Sequence, residues 1–153
     1  MSTSGQPEST FETADFRKEG YAVLRDLSVD CLLTRTDRRA LANHIQRADR
    51  VGTGVAVMLA RLLSQKLLYA RVVDDEKAHA AVAFGGSRAT FAIDELAPRS
   101  GYLFHNEEFA HSQSGIHVAT LLGATLIGMK AGARAPFLQA DGSFRSVSLL
   151  SVN

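Results

Sequence analysis

The sequence has no tryptophan, one cysteine, three prolines and an aromatic content of only 7%. Because the single cysteine, Cys31, cannot form an internal disulfide, the chain is not a disulfide-stapled secreted domain. The longest apolar stretch, residues 118–129, is too short to cross a bilayer. The N-terminus lacks a basic segment followed by an apolar one, so we expect no secretory signal and a cytoplasmic protein.

The length of 153 residues allows one domain with a substantial core, or a small domain with an appendage, and excludes two large domains. A hydrophobic fraction of 46% and a mean hydropathy of -0.01 are typical of a globular protein. Cys31 lies among Val29, Leu32 and Leu33. This setting favours a small buried apolar side chain over a reactive thiol.

Charge is unevenly distributed along the chain, although the net value is only +1. Residues 1–30 carry a net charge of -3, residues 31–71 carry +6, and residues 72–153 carry -2. A basic middle between acidic flanks favours a surface that meets something negative, either a phosphate backbone or an acidic protein face. A solvated helical face that binds nothing is the alternative that the sequence leaves open.

The first 20 residues are rich in Ser, Thr, Glu, Gly and Pro. This composition buries too little apolar surface to offset the entropy of ordering, so we predict a disordered tail over residues 1–20. The next segment, residues 21–34, is mostly apolar, and its pattern does not decide between helix and strand.

Residues 21–73 are predicted to form a short antiparallel helical hairpin. The first helix is expected to begin at Thr36 as its N-cap, with Asp37 in the first turn, where its charge favours the helix dipole. The helical period breaks at the glycines of RVGTG and then restarts. The apolar positions that set the period are Leu41, Ile45 and Ala48 before the break and Val55, Met58, Leu59, Leu62, Leu63 and Leu67 after it. We interpret His44, beside this stripe, as a boundary residue and not a ligand.

Residues 74–153 are predicted to form a second unit, because the apolar period falls to two, which is typical of strands. The strand candidates are AAVAF, RATFAI, GYLFHN, GIHVA, APFLQ and FRSVSLLSV. Turn signals lie at residues 85–87 and at Asp141-Gly142. The sequence therefore predicts an α+β fold in which a mainly antiparallel sheet has a single helix inserted before its last hairpin.

The inserted helix lies within GIHVATLLGATLIGMKAG, residues 115–132. Thr120 is its predicted N-cap, and Leu122, Leu126 and Met129 share one face. We expect Gly123 to let the helix lie close to the sheet. Gly128 is expected in a left-handed turn after the helix.

The same stretch resembles the signature of the C-terminal domain of the Gre family of transcription factors, I-S-V-x-S-P-x-G-x-A-L-L-G-x-x-x-G-D. The matching positions are Ile116, Val118, Gly123, Ala124, Leu126, Gly128 and Gly132. Upstream, VAFGGSRATFAID is similar to the family's V-x-x-G-S-x-V-x-x-x-D. The segment LLTRTDRRALANHI resembles the start of the Rnk proteins, Gre relatives with a shortened coiled coil.

This resemblance implies an FKBP-like C-terminal domain that docks on RNA polymerase near the secondary channel, while a coiled coil projects inward. In Gre factors, acidic residues at the coiled-coil tip help to hold a magnesium ion and stimulate transcript cleavage. Here the tip has one acid, Asp49, between Arg47 and Arg50. Because the guanidinium groups oppose a dication, we expect polymerase binding without cleavage stimulation.

The family's docking segment has polar or acidic residues followed by Ser-Pro. This chain has Ala119, Thr120 and Leu121 there. Thr120 keeps the capping hydroxyl, but Leu121 lacks the preset backbone angle of proline. The resemblance therefore assigns partner binding to these three residues and to the tip. An exposed Leu121 would offer an apolar contact, whereas a buried one would belong to the core.

The sequence disfavours three other chemistries. The stretch HNEEFAHSQSGIH contains residues that can bind zinc, but its loose spacing favours a polar loop and an outward strand face. These residues are His105, Glu107, Glu108, His111 and His117. The glycines at the tip lack the pattern of a phosphate loop, and Ser87 and Ser100 have no evident histidine and acid partners. We expect no catalytic residue, no bound metal and no cofactor.

Two further functions remain as alternatives. An FKBP-like fold is compatible with prolyl isomerase activity. That activity requires an aromatic-lined groove, which this composition disfavours. The basic middle segment is compatible with direct nucleic-acid binding or with a general role in protein interaction. Phosphate contacts would make the affinity for nucleic acid strongly salt-dependent.

Overall fold

The computed structural model describes residues 16–77, 81–106 and 114–153. Within these residues the fold is mixed α+β, with four α-helices, a two-stranded parallel sheet and a five-stranded sheet. The helices are α1 (Phe16–Ser28), α2 (Arg35–Val51), α3 (Val55–Tyr69) and α4 (Leu121–Leu126). The strands are β1 (Leu32–Thr34), β2 (Arg71–Val73), β3 (Arg88–Ile93), β4 (Arg99–Phe104), β5 (Gly115–His117), β6 (Arg134–Leu138) and β7 (Phe144–Val152). A 3-10 turn, Asp75–Lys77, follows β2.

Part of the predicted disordered tail belongs to the N-terminal helix α1. Residues 1–15 lie outside the described residues, but residues 16–20 are the first turn of α1. Residues 21–34, left open between helix and strand, contain the end of α1 and the whole of β1. The helix is stable here because Leu24 and Ser28, one turn apart, are both buried, and the Ser28 hydroxyl donates to the Leu24 carbonyl.

Helices α2 and α3, together called the helix pair, are joined by residues 52–54 and pack against each other. The predicted N-cap at Thr36 is wrong by two residues. Thr34 has extended backbone angles and its side chain accepts from the Asp37 N–H at 3.0 Å, whereas the Thr36 hydroxyl bonds to Asp75. Gly52, in a left-handed conformation, ends α2.

One face of each helix in the pair is buried. In α2 this face repeats at spacings of four, three and four residues, as expected for one side of a helix. Its members are Asp37, Leu41, His44 and Ala48. In α3 the buried residues are Leu59, Ala60, Leu62, Leu63 and Lys66. Each face therefore combines apolar residues with titratable ones.

Strands β1 and β2 hold the two ends of the helix pair side by side. They run parallel, with Leu33 opposite Val72. Directly beyond them the Arg35 guanidinium donates to Asp74 at 2.9 Å, and the Thr36 N–H donates to Asp75 at 3.2 Å. The chain thus enters the helix pair through β1 and leaves it through β2, and we call this end of the helix pair its base.

The five-stranded sheet has the strand order β5-β4-β3-β7-β6. Every neighbouring pair is antiparallel except β4 and β5, and α4 precedes the final β6–β7 hairpin. This arrangement confirms the mainly antiparallel sheet with one inserted helix. The Asp141-Gly142 turn also lies as predicted, with the Ser143 N–H bonded to the Asp141 carboxylate.

The described part of the strand candidate AAVAF, residues 81–84, is not a strand. It makes one isolated bridge, Val82 to Lys130. The backbone of Ala83 instead exchanges hydrogen bonds with two residues after α4, donating to the Met129 carbonyl and accepting from the Gly128 N–H. The segment therefore fastens the end of α4 and adds no strand to the sheet.

The predicted close approach of Gly123 is confirmed. A Cβ atom at this position would lie 2.1 Å from the carbonyl oxygen of His117. Gly128 adopts a φ of 84°, as predicted for the turn after α4, and its carbonyl accepts from the Leu32 N–H at 3.0 Å. The strand-to-helix corner is therefore tight, and it is bonded to β1 at the base of the helix pair.

The larger of two hydrophobic clusters in the described residues joins the helix pair to the sheet. Leu41 of α2 and Leu63 of α3 belong to the same buried cluster as Phe91 and Leu149 of the sheet. Cys31 is also buried in this cluster, as expected. In the described ranges there is no helix long and apolar enough to pass through a lipid bilayer.

Candidate functional site

The strand-to-helix corner carries the three residues assigned to partner docking. Thr120 is exposed and caps α4: its side chain accepts from the Gly123 N–H at 3.0 Å, and its hydroxyl donates to the His117 carbonyl at 2.7 Å. Ala119 is half-buried and donates its N–H to Nδ1 of His117 at 2.8 Å. Leu121 is half-buried and packs on the core. Thr120 is thus the outward member of this corner.

The tip of the helix pair carries the other assigned residues. Arg47, Asp49 and Arg50 are exposed in the last turns of α2. Two apolar side chains beside them face solvent, Val51 at 65% exposure and Val55 at 44%. The surface at the tip is therefore basic and apolar, with a single carboxylate.

Between the tip and the corner lies a polar cluster of Asp37 and His44, which are buried, with His105 and His117, which are half-buried. We call these four residues the histidine cluster. Asp37 is 2% exposed, and its carboxylate accepts from the Gly85 N–H at 3.1 Å and from Nε2 of His105 at 2.8 Å. Nδ1 of His105 lies 3.0 Å from Nε2 of His44. These bonds connect α2 to the segment after β4 and to the turn before β3.

The hydrogen-bond donors and acceptors of the histidine cluster fix the tautomers of His44 and His105. The Arg47 guanidinium can only donate, so Nδ1 of His44, which it contacts, is an acceptor. His44 therefore carries its proton on Nε2 and donates to Nδ1 of His105. His105 in turn carries its proton on Nε2 and donates to Asp37. The direction of donation runs unbroken from Arg47 to Asp37, with both rings neutral.

The histidine cluster also connects the tip to the corner. The rings of His44 and His117 meet edge to face with their centroids 5.5 Å apart. His44 lies one helical turn before Arg47, and His117 bonds to both Ala119 and Thr120. The two sets of predicted docking residues are thus linked through two imidazole rings.

The surroundings of His44 strongly favour its neutral form. Burial is the largest cause, followed by electrostatic repulsion from His105, Arg47 and His117 when these groups carry a proton, and together they lower the pKa of His44 from 6.5 to about 4. The side chain is 2% exposed. The prediction that His44 is a boundary residue is therefore wrong, because the α2 face that packs on the sheet includes it.

A second buried titratable group, Lys66 of α3, lies at the far end of α4. Its ammonium donates to the carbonyl oxygens of Thr125, at 2.7 Å, and Ile127. Burial lowers the pKa of Lys66. A cation suits the C-terminal end of a helix, where carbonyl groups lack partners within the helix. This bond fixes α3 against α4.

Residues 16–77, 81–106 and 114–153 contain no group of three or more His, Cys, Asp or Glu side chains placed to hold a metal ion. Of the predicted metal candidates, only His105 and His117 belong to these ranges. Glu107, Glu108 and His111 lie outside the described residues. His105 and His117 are instead engaged by Asp37 and by the Ala119 N–H.

Sequence reasoning missed the histidine cluster because its members are far apart in the chain. Asp37 and His105 are separated by 68 residues. One local signal was present: Asp37 and His44 share a helical face with Leu41, so polar groups occupy an otherwise apolar stripe. Buried polar groups require partners, and this pattern therefore pointed to a polar contact across the helix–sheet boundary.

Comparison with solved structures finds similarity to transcription elongation factors, including one with a TM-score above 0.5. The GreA/GreB elongation factor from Nitrosomonas europaea matches with a TM-score of 0.59 at 18% identity, covering 80% of this chain and 98% of that one. GreA factor homolog 1 from Thermus thermophilus matches at 13% identity and a TM-score of 0.37, covering 81% of this chain and 99% of that one. Gfh1 from Thermus aquaticus matches at 12% identity and a TM-score of 0.41, covering 81% and 98%.

No protein-family model and no curated protein matches the chain. At 18% identity, the Nitrosomonas europaea structure establishes a shared fold. The sequence resemblance to the C-terminal domain of GreA/GreB-type factors is therefore supported by a fold shared over 80% of this chain.

Proposed function

We propose that this protein is a non-enzymatic regulator of transcription that binds RNA polymerase near its secondary channel. The observation that carries the proposal is the fold shared over 80% of the chain with a GreA/GreB elongation factor. The sequence motifs of residues 115–132 lie at the strand-to-helix corner of that fold. The protein would act in the cytoplasm, where the polymerase works.

In this proposal the helix pair is a short coiled-coil hairpin and the sheet with α4 is the FKBP-like docking domain, as in Rnk proteins. The corner at Ala119, Thr120 and Leu121 contacts the polymerase surface. The exposed Thr120 supports this role, and the bonds through His117 hold the corner rigid. The tip residues Arg47, Asp49 and Arg50 point towards the channel.

The tip is unsuited to the cleavage chemistry of Gre factors. Asp49 is its single carboxylate, and Arg50 and the exposed Val51 follow it directly. A dication shared with the polymerase needs several oxygen ligands, and adjacent guanidinium groups raise the energy of bringing it there. We therefore propose that the protein occupies the polymerase without stimulating transcript cleavage.

The test uses purified RNA polymerase from the native host with backtracked transcription complexes. The tagged full-length protein should retain polymerase at low salt, and RNA release should not exceed that of polymerase alone. A GreA factor in parallel reactions reports that the complexes are competent for cleavage. Robust cleavage by this protein would contradict the tip argument, and absence of polymerase retention at low salt would contradict the docking argument.

A second candidate function is direct nucleic-acid binding. It is favoured by the excess of six basic residues over residues 31–71, most of them exposed on the helix pair. Phosphate contacts would release counterions, so affinity for a DNA or RNA probe should fall steeply with salt. Weak binding with little salt dependence would leave the polymerase proposal ahead of this one.

A further inference from the structure

A small cavity lies between α1, α3, α4 and β6. It encloses about 80 Å³, and most of its lining is apolar. The apolar side chains that line it are those of Leu24, Leu27, Met129, Ala133 and Ala135. Three exposed residues, Asp30, Lys130 and Arg134, mark the side on which it opens to solvent. Lys66 of α3 also lines this space, which we call the lysine cavity.

Lys66 is the buried cation of this lining, with an exposed fraction of 5%. A charged ammonium group has three hydrogen-bond donors. Two of them donate to the carbonyl oxygens of Thr125 and Ile127. Among the groups that the structure describes, no third acceptor lies within hydrogen-bond distance of Nζ. The ammonium group of Lys66 therefore has one donor left for a ligand.

No carboxylate compensates the charge of Lys66 within the described part of the chain. Lys66 takes part in none of the ion pairs there, and Asp30 lies exposed at the opening. Burial lowers the pKa of Lys66, and the neighbouring Cys31 thiol opposes this effect only in part. An anion that enters the cavity would therefore meet a cation without a counter-charge from the protein.

From the shape, the lining and the spare donor we infer that the lysine cavity is a binding site for a short-chain aliphatic monocarboxylate of about the size of propionate. One carboxylate oxygen accepts the third N–H of Lys66. The alkyl end of the ligand packs against Leu27 and Ala133, which are half-buried. This site is separate from the proposed polymerase contacts at the corner and the tip.

The volume of the cavity limits the ligand to a few heavy atoms. An apolar cavity of about 150 Å³ accommodates benzene, which has six. The lysine cavity has about half that volume, so roughly three to four heavy atoms fit inside it. A carboxyl group with its adjacent carbon fills this space, and the end of a short alkyl chain reaches the opening. Nucleotides and aromatic acids are too large.

A carboxylate suits this cavity better than inorganic phosphate or a compound that reacts with the amine. Phosphate has no apolar part, so it would give up its hydration and leave the apolar lining uncovered. A covalent bond between Nζ and a carbonyl compound would remove N–H groups that the carbonyl oxygens of Thr125 and Ile127 require. A bound carboxylate leaves both of these hydrogen bonds intact.

An NMR titration of the full-length, nitrogen-15-labelled protein with propionate tests the inference. We expect saturable shifts of the backbone amides of residues 125–131, with a dissociation constant of about 1 mM. Lys66→Met should weaken binding at least about tenfold. The matched control, Arg38→Met, removes an exposed cation from α2 and should change the affinity less than about twofold. The amide spectrum of each variant reports whether the fold is retained.

A second variant keeps the lysine, because Lys66→Met also loses two hydrogen bonds. Ala133→Leu fills the cavity with a larger side chain and should weaken propionate binding at least about fivefold. Propionamide has the same shape without the charge and should bind at least about fivefold more weakly than propionate. Equal affinity for the two probes, undiminished binding by Ala133→Leu, or the absence of saturable shifts in the wild type would overturn the inference. Because no polymerase is present, failure here leaves the proposed function untouched.

Discussion

His44 and His105, 61 residues apart in sequence, lie with Nε2 of one 3.0 Å from Nδ1 of the other and their rings stacked. This contact joins the first helix of the helix pair to the sheet. Because Arg47 and Asp37 fix the direction of donation, His44 donates from Nε2 and keeps Nδ1 as an acceptor. A proton added to Nδ1 of His44 would face the Arg47 guanidinium, so two donors would meet there.

The first prediction follows from the pKa of about 4 for His44 in the folded protein, against 6.5 when unfolded. Between these values the unfolded chain binds more protons, so the free energy of unfolding falls as pH drops from 6.5 to 4. The full shift corresponds to about 3 kcal/mol. Urea titrations at a series of pH values measure it. His44→Gln, which does not titrate, should show a flatter dependence, and parallel curves for the two proteins would contradict the assignment.

A second prediction concerns Lys66. Lys66→Met removes both hydrogen bonds to the carbonyls of Thr125 and Ile127 and leaves these buried acceptors without the amine. Relief of the buried charge offsets part of this cost, and we expect a net loss of about 2 kcal/mol in unfolding free energy. Lys130→Met, at an exposed position, is the control and should change stability by less than about 0.5 kcal/mol. Equal or greater stability of Lys66→Met would show that desolvation outweighs the two bonds.

The third prediction is that Gly123→Ala is severely destabilising. The added methyl group would lie 2.1 Å from the His117 carbonyl oxygen, which is backbone and cannot rotate away. Helix α4 must then move off the strand that precedes it, at a cost of about 3 kcal/mol. Thermal unfolding followed by circular dichroism measures the loss. A melting temperature equal to that of the wild type would mean that the corner is looser than the structure indicates.

A fourth prediction separates the corner from the tip in polymerase binding. Ala119→Arg places a long cation beside the exposed Thr120 and should reduce polymerase retention about tenfold, equivalent to 1.4 kcal/mol. Arg50→Gln at the tip should reduce it less than about threefold, because the proposed docking energy lies at the corner. Quantitative pull-down at several polymerase concentrations provides both values. A larger loss for Arg50→Gln would move the principal contact to the tip.

Local patterns predicted most of the secondary structure. The alternation in residues 88–93, the Asp141-Gly142 turn and the Thr120 cap all act within a few residues, so their physics is visible in a short window. The N-terminal helix was not assigned, because its stability comes from burying Leu24 against distant elements. The predicted cap lies at Thr36 and the observed one at Thr34, because the Thr36 hydroxyl bonds to Asp75, 39 residues away, and a short window does not show this contact.

The candidate site was less accessible to sequence reasoning. Arg47, Asp49 and Arg50 could be assigned to the tip because two glycines mark the break between the helices. The role of Asp37 could not, because its partners are His105 and the Gly85 N–H, and neither contact has a sequence period. Only the fold brings a carboxylate on a helix to a histidine that follows a strand.

Because β1 pairs with β2, the length of the helix pair is independent of the contacts that anchor its base. Both ends of the helix pair are fixed at this pairing by Arg35 with Asp74 and by Thr36 with Asp75. Insertion of about seven residues into each helix would therefore carry the tip outward by about 10 Å and leave the anchorage unaltered. The length of the helix pair can therefore vary in small steps while the elements that anchor it stay the same.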